Sequence, residues 1–84
     1  MLYYLIVCRS LTLAQRTAAA LERAGIGAHI LRTPSQITER GCGYSVKLSQ
    51  KNLSQALVVL KRVDLSPRQI FITEPDGSYR EVRL

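Results

Sequence analysis

Two stretches of this 84-residue chain space their apolar residues for helices, and short β-patterned runs alternate with them. Leu13, Ala14, Thr17, Ala18, Leu21 and Ala24 recur at helical intervals, as do Leu53, Ala56, Leu57, Leu60 and Val63. Such spacing puts each set on one side of a helix. Residues 3–8 form an apolar run rich in aromatic and β-branched side chains, which reads as a buried strand. Residues 28–32, 44–48 and 69–73 read as three more strands. The order β-α-β-β-α-β is the split pattern of a ferredoxin-like sandwich, an α+β fold with two helices on one face of an antiparallel sheet. Pro75-Asp76-Gly77 then marks a hairpin turn. Residues 79–83 return as an extra C-terminal edge strand, whose alternating charge discourages aggregation.

Local signals set the expected boundaries. Thr12 with Gln15 three residues on is a capping box that should start the first helix. Gly25 ends it as a left-handed cap, with Ile26 folding back on the last turn. Thr33-Pro34 followed by Gln36 repeats the start signal and predicts a turn or so of helix over residues 34–39, closed by Gly41. Ser49 or Asn52 caps the second long helix, and Asp64-Leu65-Ser66-Pro67 terminates it.

Length and composition exclude several classes. The chain is expected to be one domain, residues 1–84, with no room for a second core. A hydrophobic share of 46% is too high for a disordered chain. No apolar run approaches the ~20 residues of a membrane helix, and the start lacks a basic region and cleavage site, so a cytoplasmic protein is expected. Two cysteines, Cys8 and Cys42, and a lone histidine, His29, are too few for zinc or a disulfide framework. No metal or cofactor is expected. The net charge of +6 favours anionic partners, but the arginines are scattered and form no dense tract.

The chemistry-bearing motif is Gly41-Cys42-Gly43, a thiol between two glycines in the link before the third strand. Glycine removes steric cover and lets backbone N–H groups turn toward an anion, including a thiolate. Two readings stand: a reactive sulfur, or a tight turn with an incidental small residue. The topology bears on the choice. The chain leaves strand one, and crosses from strand two to strand three, at the same end of the sheet. Arg9, Ser10, the helix start at Thr12 and the Gly41-Cys42-Gly43 link should therefore be neighbours. An unperturbed thiol has a pKa of ~8.5, and lowering it by two units needs about 2.7 kcal/mol. A helix N-terminus can supply up to ~2 kcal/mol and an arginine the rest. A carbonyl end of the 34–39 turn facing the sulfur would work against them. His29 belongs to the opposite end of the sheet, so a Cys-His pair is not expected. A thiolate with cationic support and no base suits carrying sulfur better than hydrolysis.

These residues resemble those of the small bacterial family of selenium/sulfur carrier-like proteins. The matching pieces are the opening strand ending in Arg9-Ser10, the helix closing in Ala24-Gly25-Ile26, Thr33-Pro34 followed by Gly41-Cys42-Gly43, and the helix over residues 53–61. The similarity runs through Ile72; Cys8 and the tail from Pro75 depart from it. The resemblance implies a persulfide or perselenide held on Cys42, received from a cysteine desulfurase-like donor and delivered to an acceptor enzyme. Arg9, Ser10, Gly41 and Gly43 would be supporting groups, and the protein would carry its cargo without turnover of its own.

Cys8 reads as a buried packing thiol, and its place near the same sheet end leaves a resolving role open. Tyr3, Tyr4 and Phe71 read as sheet packing, because the glycine-and-aromatic signature of RNA-binding sheets is missing. Two rivals to the carrier remain: a non-catalytic basic module docking nucleic acid or an acidic protein, and a small regulatory domain binding an anionic metabolite beside Arg9. Dimerisation through edge strands is also left open.

Overall fold

The computed structural model describes residues 2–37 and 43–82. Its elements are β1 (Tyr3–Cys8), α1 (Leu11–Arg23), β2 (His29–Arg32), β3 (Tyr44–Ser49), a 3-10 turn (Gln50–Asn52), α2 (Leu53–Arg62), β4 (Ile70–Thr73) and β5 (Tyr79–Val82). The strands form one sheet in the order β2-β3-β1-β4-β5, and every neighbouring pair is antiparallel. An α+β chain with two helices and a five-stranded antiparallel sheet is compatible with the ferredoxin-like expectation.

Register explains which side chains meet the helices. Tyr4 lies opposite Leu48 and Ile72, Ile6 opposite Val46 and Ile70, and Cys8 opposite Tyr44. Directly paired residues share a face, and Ile6, Cys8, Val46, Leu48 and Ile70 cluster with Ala14, Ala18, Leu21, Ala56 and Leu60 of the helices. Alanines on α1 let it lie close to the sheet, while Leu21 and Leu60 are wholly buried. Each buried leucine is worth about 1.5–3 kcal/mol of transfer free energy. The central strand β1 buries side chains on both faces, Leu5 on one and Ile6 on the other, which accounts for its uninterrupted apolar run.

Both helices end in the same motif. At the end of α1, Gly25 has φ +80°, its N–H donates to the Glu22 carbonyl, and the Ile26 N–H donates to the Leu21 carbonyl at 2.9 Å. That is the expected left-handed cap, with Ile26 buried against the helix. At the end of α2, Asp64 takes the left-handed position at φ +60°, and the Leu65 N–H donates to the Leu60 carbonyl at 2.8 Å.

The helix starts differ from expectation. α1 begins at Leu11, and its cap is Ser10, whose extended backbone lets the hydroxyl accept from the Leu13 N–H at 3.2 Å. Thr12 is thus inside the first turn, and the Thr12–Gln15 capping box does not form. Ser10 wins because its hydroxyl and carbonyl together take two first-turn donors, those of Leu13 and Ala14. Neither Ser49 nor Asn52 caps α2 through its side chain; the 3-10 turn leads the chain in instead. Strand limits move by a residue: β2 starts at His29, β3 runs on to Ser49, and β4 starts at Ile70.

The turn expected after Thr33 is present at its start, where the Ile37 N–H donates to the Pro34 carbonyl at 3.1 Å. Its continuation, with Arg40, Gly41 and Cys42, lies outside the described residues, as does Arg83. The Pro75-Asp76-Gly77 hairpin forms as read: Gly77 has φ +90°, and Asp76 Oδ1 accepts from both the Ser78 N–H and hydroxyl.

Candidate functional site

Beyond Cys8 the chain must leave the sheet, and three connections meet where it does. β1 runs into α1 through Arg9 and Ser10. β3 begins just after Gly43. The connection from α2 to β4, residues 64–69, closes the third side, tied to β1 where the Val7 N–H donates to the Gln69 carbonyl at 3.0 Å. Between them lies a half-open cleft of about 750 Å³, with Arg9, Ser10, Gly43, Asp64, Ser66 and Arg68 among its lining. Arg9, Ser10, Asp64, Ser66 and Arg68 are exposed. Leu13, Leu65 and Pro67 give the cleft apolar surface, and Ile6, Cys8 and Thr17 reach it from the core.

Gly43 adopts φ +124°, a conformation that side chains rarely tolerate. A Cβ there would meet the Cys8 carbonyl oxygen at 3.5 Å and Thr33 Oγ1 at 3.6 Å, both ordinary van der Waals contacts, so the backbone angle alone calls for glycine. The Thr33 N–H donates to the Gly43 carbonyl at 3.2 Å, and the Thr33 and Ser45 hydroxyls pair at 2.7 Å in a buried setting. The backbone entering β3 is therefore fixed on both sides, and it needs glycine at this point.

Of the site residues read from sequence, Arg9, Ser10 and Gly43 come together around the cleft. Thr12 does not line it: it is exposed in the first turn of α1, having ceded the cap to Ser10. Gly41 and Cys42 lie outside the described residues. Cys8 is 4% exposed, as the packing reading expected. Burial pushes its thiol pKa up, with a smaller opposing effect from a Thr17 side-chain hydrogen bond. The S–H donates to the Ile6 carbonyl at 3.7 Å. A neutral, enclosed thiol is a poor nucleophile, so this geometry suits packing far better than a resolving role. His29 is exposed at the other end of β3, opposite Lys47, whereas Cys8 is opposite Tyr44. The separation expected between the histidine and the motif-bearing end holds for the described strands.

The third wall of the cleft is what sequence reading missed. β4 is antiparallel to β1, so the α2–β4 connection must arrive at the end where β1 leaves. The topological argument that joined Arg9 to the glycine-flanked link applies equally to Asp64, Ser66 and Arg68. Among the described residues no group of three or more His, Cys, Asp or Glu side chains is placed to hold a metal, and no helix is long and apolar enough to cross a membrane.

The model of the family described as "Putative Se/S carrier protein-like" matches residues 3–72. The chain belongs to that family. The match spans β1 to the third residue of β4 and so takes in all three connections around the cleft. No curated protein and no solved structure matches the chain.

Proposed function

We propose that this family member is a sulfur or selenium carrier that holds its cargo as a persulfide or perselenide on Cys42. The observation that carries the proposal is the meeting of Arg9, the Ser10-capped start of α1 and the glycine-requiring backbone of Gly43 around one cleft. Cys42 directly precedes Gly43 in the chain. Positive charge from a guanidinium and a helix N-terminus favours a thiolate, the form that accepts sulfur. Membership of a family named for sulfur and selenium carriage agrees with that chemistry.

In loading, the Cys42 thiolate attacks the terminal sulfur of a persulfide on a desulfurase-like donor. The donor's S–S bond breaks, its cysteine leaves as thiolate, and Cys42 retains the extra sulfur. An acceptor enzyme then takes that sulfur by the same exchange in reverse. The protein supplies a handle and no turnover. Delivery itself releases Cys42 as a free thiolate, and a reducing compartment such as the cytoplasm suits it because it keeps that unloaded thiol from oxidising. We read the fold as a single ferredoxin-like domain to which β5 adds an edge strand beyond the family core.

Incubation with a cysteine desulfurase and cysteine, followed by intact-mass spectrometry, tests this reading. The expected product is heavier by about 32 Da, one sulfur atom, and is absent from Cys42→Ser. Absence of the adduct from the native chain, or its persistence in Cys42→Ser, defeats the proposal.

A further inference from the structure

We propose that the cleft is also a binding site for a small organic phosphomonoester, gripped by Arg9 on one wall and Arg68 on another. The inference goes beyond the carrier reading, since its residues belong to β1, α1 and the α2–β4 connection and do not include Cys42. Arg9 follows β1 and Arg68 precedes β4, and the hydrogen bond from the Val7 N–H to the Gln69 carbonyl holds those two segments side by side. Both arginines belong to the lining of one cleft and are exposed. Among the described residues the ion pair found is Arg80 with Glu74, at the far end of the sheet, so neither cleft arginine is engaged by a described carboxylate.

The class of ligand follows from charge, shape and size. One guanidinium matches the two oxygens of a carboxylate in a bidentate pair. Two guanidiniums on separate walls suit a group with more acceptor oxygens and roughly two negative charges, as a terminal phosphate has. Ser66 belongs to the same lining and brings a hydroxyl donor, and the first turn of α1 contains no acidic residue to oppose an anion. A cleft of about 750 Å³ is far larger than a bare oxyanion needs, and Leu13, Leu65 and Pro67 offer apolar contact to a carbon body. Asp64 is the dissenting charge: it belongs to the same lining, and its carboxylate would repel the ligand, which gives the proposal a variant of opposite sign.

Titration of the full chain with phenyl phosphate, read by calorimetry and by amide shifts in two-dimensional NMR, is the test. It needs neither donor nor adduct, so it reads the cleft whether or not Cys42 accepts sulfur. The expected result is saturable one-to-one binding with Kd on the order of 0.1–1 mM, and shifts concentrated at Arg9, Ser10, Gly43 and residues 64–69. Arg9→Ala and Arg68→Ala should each weaken it about tenfold, Arg68→Lys by less, and Asp64→Asn should tighten it a few-fold. Both arginines are exposed, and thermal unfolding verifies that each variant folds. Absence of saturable binding, or indifference to both arginine substitutions, overturns the site. Benzoate binding as tightly as phenyl phosphate overturns the phosphate assignment, and inorganic phosphate doing so overturns the organic body.

Discussion

The two ends of β1 use polar side chains in opposite ways. At the end where β1 begins, they engage one another. Tyr3 N–H donates to Thr73 Oγ1 at 3.1 Å, and Lys47 Nζ sits 4.3 Å from the Tyr3 ring centre. Burial raises the Tyr79 phenol pKa, with a hydrogen bond and repulsion from Tyr3 adding to it. In the neighbouring hairpin Arg80 pairs with Glu74 and Asp76 with Ser78. At the end where β1 stops, Arg9, Asp64 and Arg68 ring a cleft and make no ion pair among the described residues. Mutual satisfaction closes one end as structure. Charges without mutual partners leave the other available to a ligand, and that is where Gly43 leads into β3.

The sharpest way to break this contrast is at the backbone of the cleft. Gly43→Ala should cost about 1–3 kcal/mol, the usual range for a residue forced into a disallowed conformation, since φ +124° suits glycine alone. Urea denaturation measures it. A stability equal to the native chain would mean that β3 can be entered without the strained glycine. Next in size is Ser10→Ala, which removes the α1 cap and should cost about 1 kcal/mol. Thr12→Ala should cost much less; equal losses would restore the capping role first read for Thr12.

That pair of residues also shows how far the sequence could be read. Apolar patterning sufficed for both helices and the central strands β1, β3 and β4, because burial periodicity is set by which face meets the core, while β5 was legible from the turn before it. Gly25 and the Pro75-Asp76-Gly77 turn were legible because each conformation favours one residue type. The cap was not, since Ser10 and Thr12 both satisfy the pattern and the choice depends on where the sheet releases the chain. Arg9, Ser10 and Gly43 could be brought together by topology. Arg68 and Asp64 follow from the same topology, but nothing in the local pattern of residues 64–69 distinguishes a wall of a cleft from a plain helix stop. Asp64 even occupies a position where glycine would be easier, and its place on the cleft became visible only in three dimensions.

A smaller effect depends on pH. The folded Cys8 pKa lies above its unfolded value, chiefly through burial. The native state therefore favours the neutral thiol, and the stability this gives is fully present below the unfolded pKa of ~8.5 and lost as pH rises through the folded value. Unfolding free energy should fall above about pH 8.5, and Cys8→Ala, though less stable at neutral pH, should show a shallower alkaline decline. An identical decline in both would place the Cys8 sulfur in contact with water.

The smallest expected effect compares arginines from the two ends. Arg80→Ala removes an exposed ion pair with Glu74, and such pairs contribute only about 0.2–1 kcal/mol. Arg9→Ala and Arg68→Ala remove charges with no described carboxylate partner, so their stability should stay within roughly 0.5 kcal/mol of native. What separates the ends is then the salt response. Raising ionic strength screens the Arg80–Glu74 attraction, so the difference between native and Arg80→Ala should shrink in high salt. For the cleft arginines no described ion pair is lost, and the like charges of Arg9 and Arg68 are themselves screened, so salt should leave the variants unmoved or stabilise the native chain slightly more than them. A large stability loss in either cleft variant would mean that its guanidinium is already committed to holding the fold, and the two ends of β1 would no longer differ in kind.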